Sequence, residues 1–153
     1  MNRSRYVARS LDETDKAIIA ALTDDGRMTV KELSAQIGLS SPSIGARILK
    51  LKDAGAITGY TVLVDPRVFG LSIAAYVRMH ARPGEVKRVA QMLSDTPEVV
   101  EADHVTGEDS FLAKVVACDV QTLETVVDRF VQFAATDTAI IQSSTVARRL
   151  PKL

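Results

Sequence analysis

Between positions 12 and 55 the apolar residues return every three or four places, so the first third of the chain is written in helical period. Ala17, Ile18, Ala21 and Leu22 make one stripe, Asp12 with Asp15 three residues on resembles a cap, and Asp24, Asp25 and Gly26 end the segment. The spacing predicts a helix over 13–24. Thr29 followed by Glu32 reads as a capping box, in which the hydroxyl accepts from the third helical amide and the carboxylate accepts from the cap amide. A second helix starts at about Val30, gains an apolar face from Leu33 and Ile37, and stops at Gly38, which adopts the left-handed conformation readily. After a turn over 38–40, Ser41 before Pro42 restarts the helix, because serine caps free amides and proline at the first helical position loses no hydrogen bond. Ile44, Ile48 and Leu51 fall at i, i+4 and i+7 as the buried stripe. Ser43, Ala46, Arg47 and Lys50 are left on the opposite, wet face, and Gly55 closes the helix. The shared core expected for three such helices is Ile18, Leu22, Leu33, Ile37, Ile44, Ile48 and Leu51.

After Gly55 the period shortens. Ile57, Thr58, Tyr60, Val62 and Val64 are strand formers ended by Asp65 and Pro66, which predicts either the wing of a winged helix-turn-helix or a linker strand. The rest reads strand (73–81), helix marked by Val86, Val89, Ala90 and Leu93, strand (99–106), strand (110–117), helix marked by Leu123, Val126, Val127, Phe130 and Val131, and a last strand (140–148). Gly107, Glu108 and Asp109 between the two middle strands are a hairpin signal. Two successive half-repeats of this kind give a βαββαβ, ferredoxin-like αβ sandwich with both helices on one face of a four-stranded antiparallel sheet. The other face is left bare, and a second copy of the chain is its simplest cover. The fold class expected is therefore α+β: a (winged) helix-turn-helix domain over 1–57, a linker strand over 58–68 and the sandwich over 69–153.

Two helices joined by a short turn, the second basic and small-residued at its start, suit entry into the DNA major groove, although an ordinary helical hairpin has the same pattern. Charge adds little to that choice. The chain is neutral overall, and residues 1–60 hold nine Lys/Arg against seven Asp/Glu, a bias that only permits a DNA-facing N-terminal half. Residues 1–10 carry Arg3, Arg5 and Arg9 without an acid, and read as a solvated arm that is free to touch phosphates. Cys118 is the single cysteine, so no intramolecular disulfide forms, and with only His80 and His104 a Cys/His metal cage cannot be assembled. Its place in an apolar strand predicts a small core residue. No apolar run approaches the ~20 residues of a membrane helix, and the first residues lack the apolar core of a signal peptide, so a cytoplasmic protein is expected.

Three stretches in order, LDETDKAIIAALTDDGRMTVKELSAQIGLSSPSIGARILKLKDAGAITGY, VDPRVFGL and VTGEDSFLAKV, resemble the Lrp/AsnC, or feast/famine, family of transcriptional regulators. The resemblance implies an N-terminal helix-turn-helix domain that binds double-stranded DNA and a C-terminal sandwich that dimerises and senses a small molecule, usually an amino acid. It also implies further assembly, commonly to octamers, and no cofactor. By position, Ser41, Ser43, Gly45, Ala46 and Arg47 would lie nearest the bases and Lys50 nearer phosphate. The hairpin Thr106, Gly107, Glu108, Asp109 and Ser110 matches the family's effector loop, with Gln142, Ser143 and Ser144 as secondary candidates. Many members place an acid just before the aromatic there, whereas Ser110 precedes Phe111 here. Siroheme decarboxylases resemble the same architecture, so an enzyme using His80 or His104 as a general acid is the alternative, and a protein-interaction module is a third.

Overall fold

The computed structural model describes residues 11–146 and 149. The chain divides between residues 63 and 64 into two compact units, each with its own apolar core. The first holds α1 (Glu13–Asp24), α2 (Val30–Ile37) and α3 (Ser41–Asp53). Both capping boxes form: the Asp12 carboxylate accepts from the Asp15 amide at 2.8 Å, and Thr29 and Glu32 exchange bonds of 2.7 and 3.3 Å. Gly38 ends α2 at φ 79°, in the left-handed region. The cap of α3 is Ser40 rather than Ser41: its hydroxyl accepts from the Ser43 amide, and Ser41 is already helical. Ile18, Ala21, Leu33, Ile44 and Leu51 are buried together, with Leu22, Ile37 and Ile48 packed around them.

The strand and wing expected after Gly55 do not form among the described residues; 58–65 has no regular secondary structure and no sheet partner within this chain. A strand exists only if a neighbour takes its backbone hydrogen bonds, and here Val62 and Leu63 stay 81% and 84% exposed. Asp65 then caps a short 3-10 turn, Pro66–Phe69.

The second unit runs β1 (Ile73–Ala81), α4 (Val86–Asp95), β2 (Val99–His104), β3 (Phe111–Ala117), α5 (Val120–Val131) and β4 (Ala134–Ile140). The strands lie in the order β2-β3-β1-β4, all neighbours antiparallel, with Met79 opposite Phe111 and Arg78 opposite Asp137. This is the βαββαβ sandwich. Alternation of side chains sends Ala75, Val77, Met79 and Ala81 of β1 and Phe111, Ala113, Val115 and Ala117 of β3 to the helix side, against Val89 and Leu93 of α4 and Leu123, Val126 and Phe130 of α5. The open face carries Tyr76, Arg78 and His80, beside Leu112, Lys114 and Asp137 in the strand register.

The last strand is Ala134–Ile140, not 140–148; residues 141–146 are not in a strand, and 147 and 148 lie outside the described residues. Its small residues AATDTAI carry little hydrophobic signal, but the free edge of β1 supplies the hydrogen-bond partners that make them a strand. Cys118 is exposed rather than buried, because β3 ends one residue earlier and Asp119 turns the chain into α5 as its cap.

Candidate DNA-binding helix and effector hairpin

On α3 the core side is set by Ile44 and Leu51, with Ile48 between them. Pro42, Ser43, Ala46, Leu49 and Lys50 are exposed, while Ser41 and Gly45 are half-buried. Ser43 is also tied back, its hydroxyl lying 2.8 Å from that of Ser40. Leu49, 60% exposed, and Pro42 belong to the outer face and were missed by the sequence reading. The signal for Leu49 was its place three residues after Ala46, outside the stripe. Arg47 lies at the edge of the wet face, its side chain 32% exposed. It stands three residues after Ile44 and four before Leu51, which places it on the flank of the core stripe. From there its Nη1 donates to Asp12 Oδ2 at 2.7 Å and Asp15 Oδ1 at 2.8 Å, the two acids of the α1 capping box. The guanidinium, followed by the Asp15 amide, holds the Asp12 carboxyl below the usual carboxylate range. Lys52 lies over the Tyr60 ring, 5.3 Å from its centroid, and so fastens the chain that follows α3.

The effector hairpin is built on the end of the sheet. Val105 donates to the Ser110 carbonyl at 3.0 Å, and the Ser110 amide donates to the Met79 carbonyl at 2.8 Å. The Ser110 hydroxyl accepts from the Ala81 amide at 3.1 Å. Ser110 thus fastens the hairpin to β1, which accounts for a serine beside Phe111. Gly107 has φ 118°, a conformation that side chains rarely adopt, and Glu108 and Asp109 border it. The His80 Nδ1 donates to the Glu108 carbonyl, and His104 stacks on Phe111 with ring centroids 4.9 Å apart. Arg78 pairs with Asp137 on the same open face; that carboxylate, with further attraction from Asp109 and Glu108, raises the arginine above its ordinary value. Arg78 and His80 could not be read as neighbours of the hairpin from residue order, since register alone joins them.

Gln142 and Ser144 lie elsewhere. Ile140 pairs with Ala75 and Ile141 donates to the Ala74 carbonyl, at the opposite end of β1 from His80 and Ala81. Five residues of strand separate the two ends by about 17 Å. Within one chain the hairpin and the segment after β4 are not one site.

A capped hairpin of helices with an exposed third helix, followed by a separate sandwich with an open sheet face, defines a DNA-binding regulator joined to a ligand-binding domain. Residues 11–52 match the AsnC-type helix-turn-helix domain and residues 74–151 the Lrp/AsnC ligand binding domain. The HTH-type transcriptional regulator YezC of Bacillus subtilis is 35% identical over 134 residues, covering 88% of this chain and 95% of that protein. Among solved structures, LrpC of B. subtilis superposes with a TM-score of 0.87 at 26% identity over 92% of this chain and all of that one. The complex of the transcriptional regulator NMB0573 of Neisseria meningitidis with L-Met gives 0.85 at 26% identity, covering 93% of this chain and 97% of that one. The chain belongs to the Lrp/AsnC family of helix-turn-helix transcriptional regulators. It is a regulator, as its relatives are, and not the decarboxylase that the same architecture accommodates. No helix of the described residues is long and apolar enough to cross a membrane.

Proposed function

We infer that this regulator works in the cytoplasm as a homo-oligomer, a dimer assembling further to an octamer, and meets duplex DNA through the outer face of α3. The observation that carries the DNA reading is that face itself: a capped helix in a matched AsnC-type domain, exposing small residues and one basic side chain. Ser41, Ser43, Gly45 and Ala46 approach the bases, and Lys50 takes phosphate. The effector is an amino acid, a reading supported by the family's ligand domain and by the L-Met complex of the structural neighbour. Backbone amides about Gly107 suit its carboxylate, Glu108 or Asp109 its ammonium group, and Thr106 and Ser110 frame the loop. Gln142 and Ser144 reach such a site only from a second chain, which favours a pocket at the junction of dimers. A ligand there regulates only by binding one assembly state better than another.

One experiment tests both halves. A duplex enriched by the full-length protein from a random pool is titrated across a salt series, with each of the standard amino acids added in turn. Lys50→Ala is expected to flatten the dependence of log K on log salt by about 0.9, one phosphate's worth. One or a few amino acids shift affinity and oligomer size together, and Asp109→Ala abolishes that shift. An unchanged slope in Lys50→Ala removes this lysine from the interface; a shift that survives Asp109→Ala moves the effector site away from the hairpin.

A further inference from the structure

We propose that Arg47, the one arginine of the recognition helix, is a positioning residue: it locks the N-terminus of α1 to α3 and offsets one of the two negative charges of Asp12 and Asp15, and does not itself read DNA. The inference rests on the DNA-binding reading of α3 and adds a division of labour within it. A single nitrogen, Nη1, serves both carboxylates, at 2.7 and 2.8 Å. Those carboxylates are already tied to each other's backbone amides, Asp15 to Asp12 at 2.8 Å and Asp12 to Asp15 at 3.4 Å. The acceptors are therefore fixed before the guanidinium arrives, so little side-chain freedom is lost in making the pair. Asp15 is the more enclosed of the two, its side chain 21% exposed.

Taking Arg47 away to a base breaks two charge-assisted hydrogen bonds and leaves two carboxylates uncompensated beside the DNA-facing helix, where they repel phosphate. No other cation of the described residues lies within ion-pair distance of either acid. Keeping it leaves Ser43, Ala46, Leu49 and Lys50 as the outward side chains of the middle of α3. Ser43 and Lys50 are then the polar side chains left to meet base edges and phosphate, without Arg47. The arginine that looks like the reader is thus the part that holds the reader in place.

The test separates the two roles by sign. The full chain is compared with Arg47→Ala, with the double variant Asp12→Asn/Asp15→Asn and with all three changes together. Asparagine caps a helix as well as aspartate does, so α1 keeps its start while the ion pairs are lost. Binding is measured on the enriched duplex and on a scrambled one, well below the melting temperature of each variant. A positioning role predicts that Arg47→Ala and the double Asn variant each lower the specific-to-scrambled ratio by about tenfold, within the range of coupled contact pairs. The combined variant is no worse than either, and the salt slope on the enriched duplex stays that of the wild type throughout. The inference is overturned if the double Asn variant, its Arg47 released, raises the specific-to-scrambled ratio, or if Arg47→Ala flattens the slope by about 0.9. A wild type that enriches no duplex overturns the DNA reading itself, a result distinct from either.

Discussion

Two glycines of the helix-turn-helix answer to opposite requirements. Gly38 sits at φ 79° with nothing within 4 Å of where a Cβ would stand, so its only demand is conformational. Gly38→Ala is expected to cost about 1–2 kcal/mol, the penalty of an L side chain in the left-handed region. Gly45 lies inside α3 with the same open space and ordinary helical backbone. Gly45→Ala is expected to stabilise the domain by about 1 kcal/mol, because alanine loses less entropy on becoming helical. Denaturant melts of the full chain followed by helical circular dichroism check both, and equal effects of the same sign would refute the distinction. If Gly45→Ala also weakens DNA binding while stabilising the fold, the missing side chain serves close approach to DNA.

At the scale of elements, the helix starts carry the pH response of the N-terminal unit. Asp12 is held below its ordinary 3.8 by Arg47 and then by the Asp15 amide, and Glu32 below its ordinary 4.5 by the Thr29 amide and hydroxyl. Both folded values lie below the unfolded ones, so on acidification the unfolded chain takes up protons first. The stabilisation is therefore complete at neutral pH, begins to fall near the ordinary carboxylate values, and is gone once the pH drops through the lowered folded values. Thermal melts of the full chain should show a plateau above about pH 5 and a decline below it, shallower in Asp12→Asn/Glu32→Gln. A variant that loses stability as steeply as wild type would mean other carboxylates dominate. Asp119, lowered by the Thr122 amide and hydroxyl, caps α5 and adds the same trend to the second unit.

At the scale of the molecule, the second unit is half covered. Its helix face buries a continuous core, while the opposite face leaves Tyr76 44% and Leu112 37% exposed among charged residues. A mixed surface with aromatic and aliphatic groups at its centre is what a self-complementary interface uses. A fragment of residues 64–153, which retains that unit's own core, is expected to be a dimer or larger by light scattering at micromolar concentration. A monomer would mean that assembly depends on another surface, the 57–65 segment with its exposed Val62 and Leu63 being the first alternative.

What the chain determined by itself is what local chemistry decides. Helix starts at Asp12 and Thr29, the stop at Gly38, the helical stripes, and the alternation of β1 each depend on residues a few positions apart, and each was legible. Ser40 rather than Ser41 at the cap is an error of one residue in a run of equivalent serines. The remainder depended on partners far along the chain. Residues 57–65 had strand formers but no strand partner, whereas Ala134–Ile140, poor in large apolar residues, lay against the edge of β1. Sheet pairing supplies hydrogen bonds that propensity does not encode. Arg47 was legible as a basic residue of α3, but its pairing with acids 32 and 35 positions earlier is a product of helix packing. The hairpin was legible as a turn; its attachment to β1 through Ser110, the neighbourhood of Arg78 and His80, and its separation from Gln142 were fixed only by register, because a strand's position in a sheet depends on which edge is left to pair.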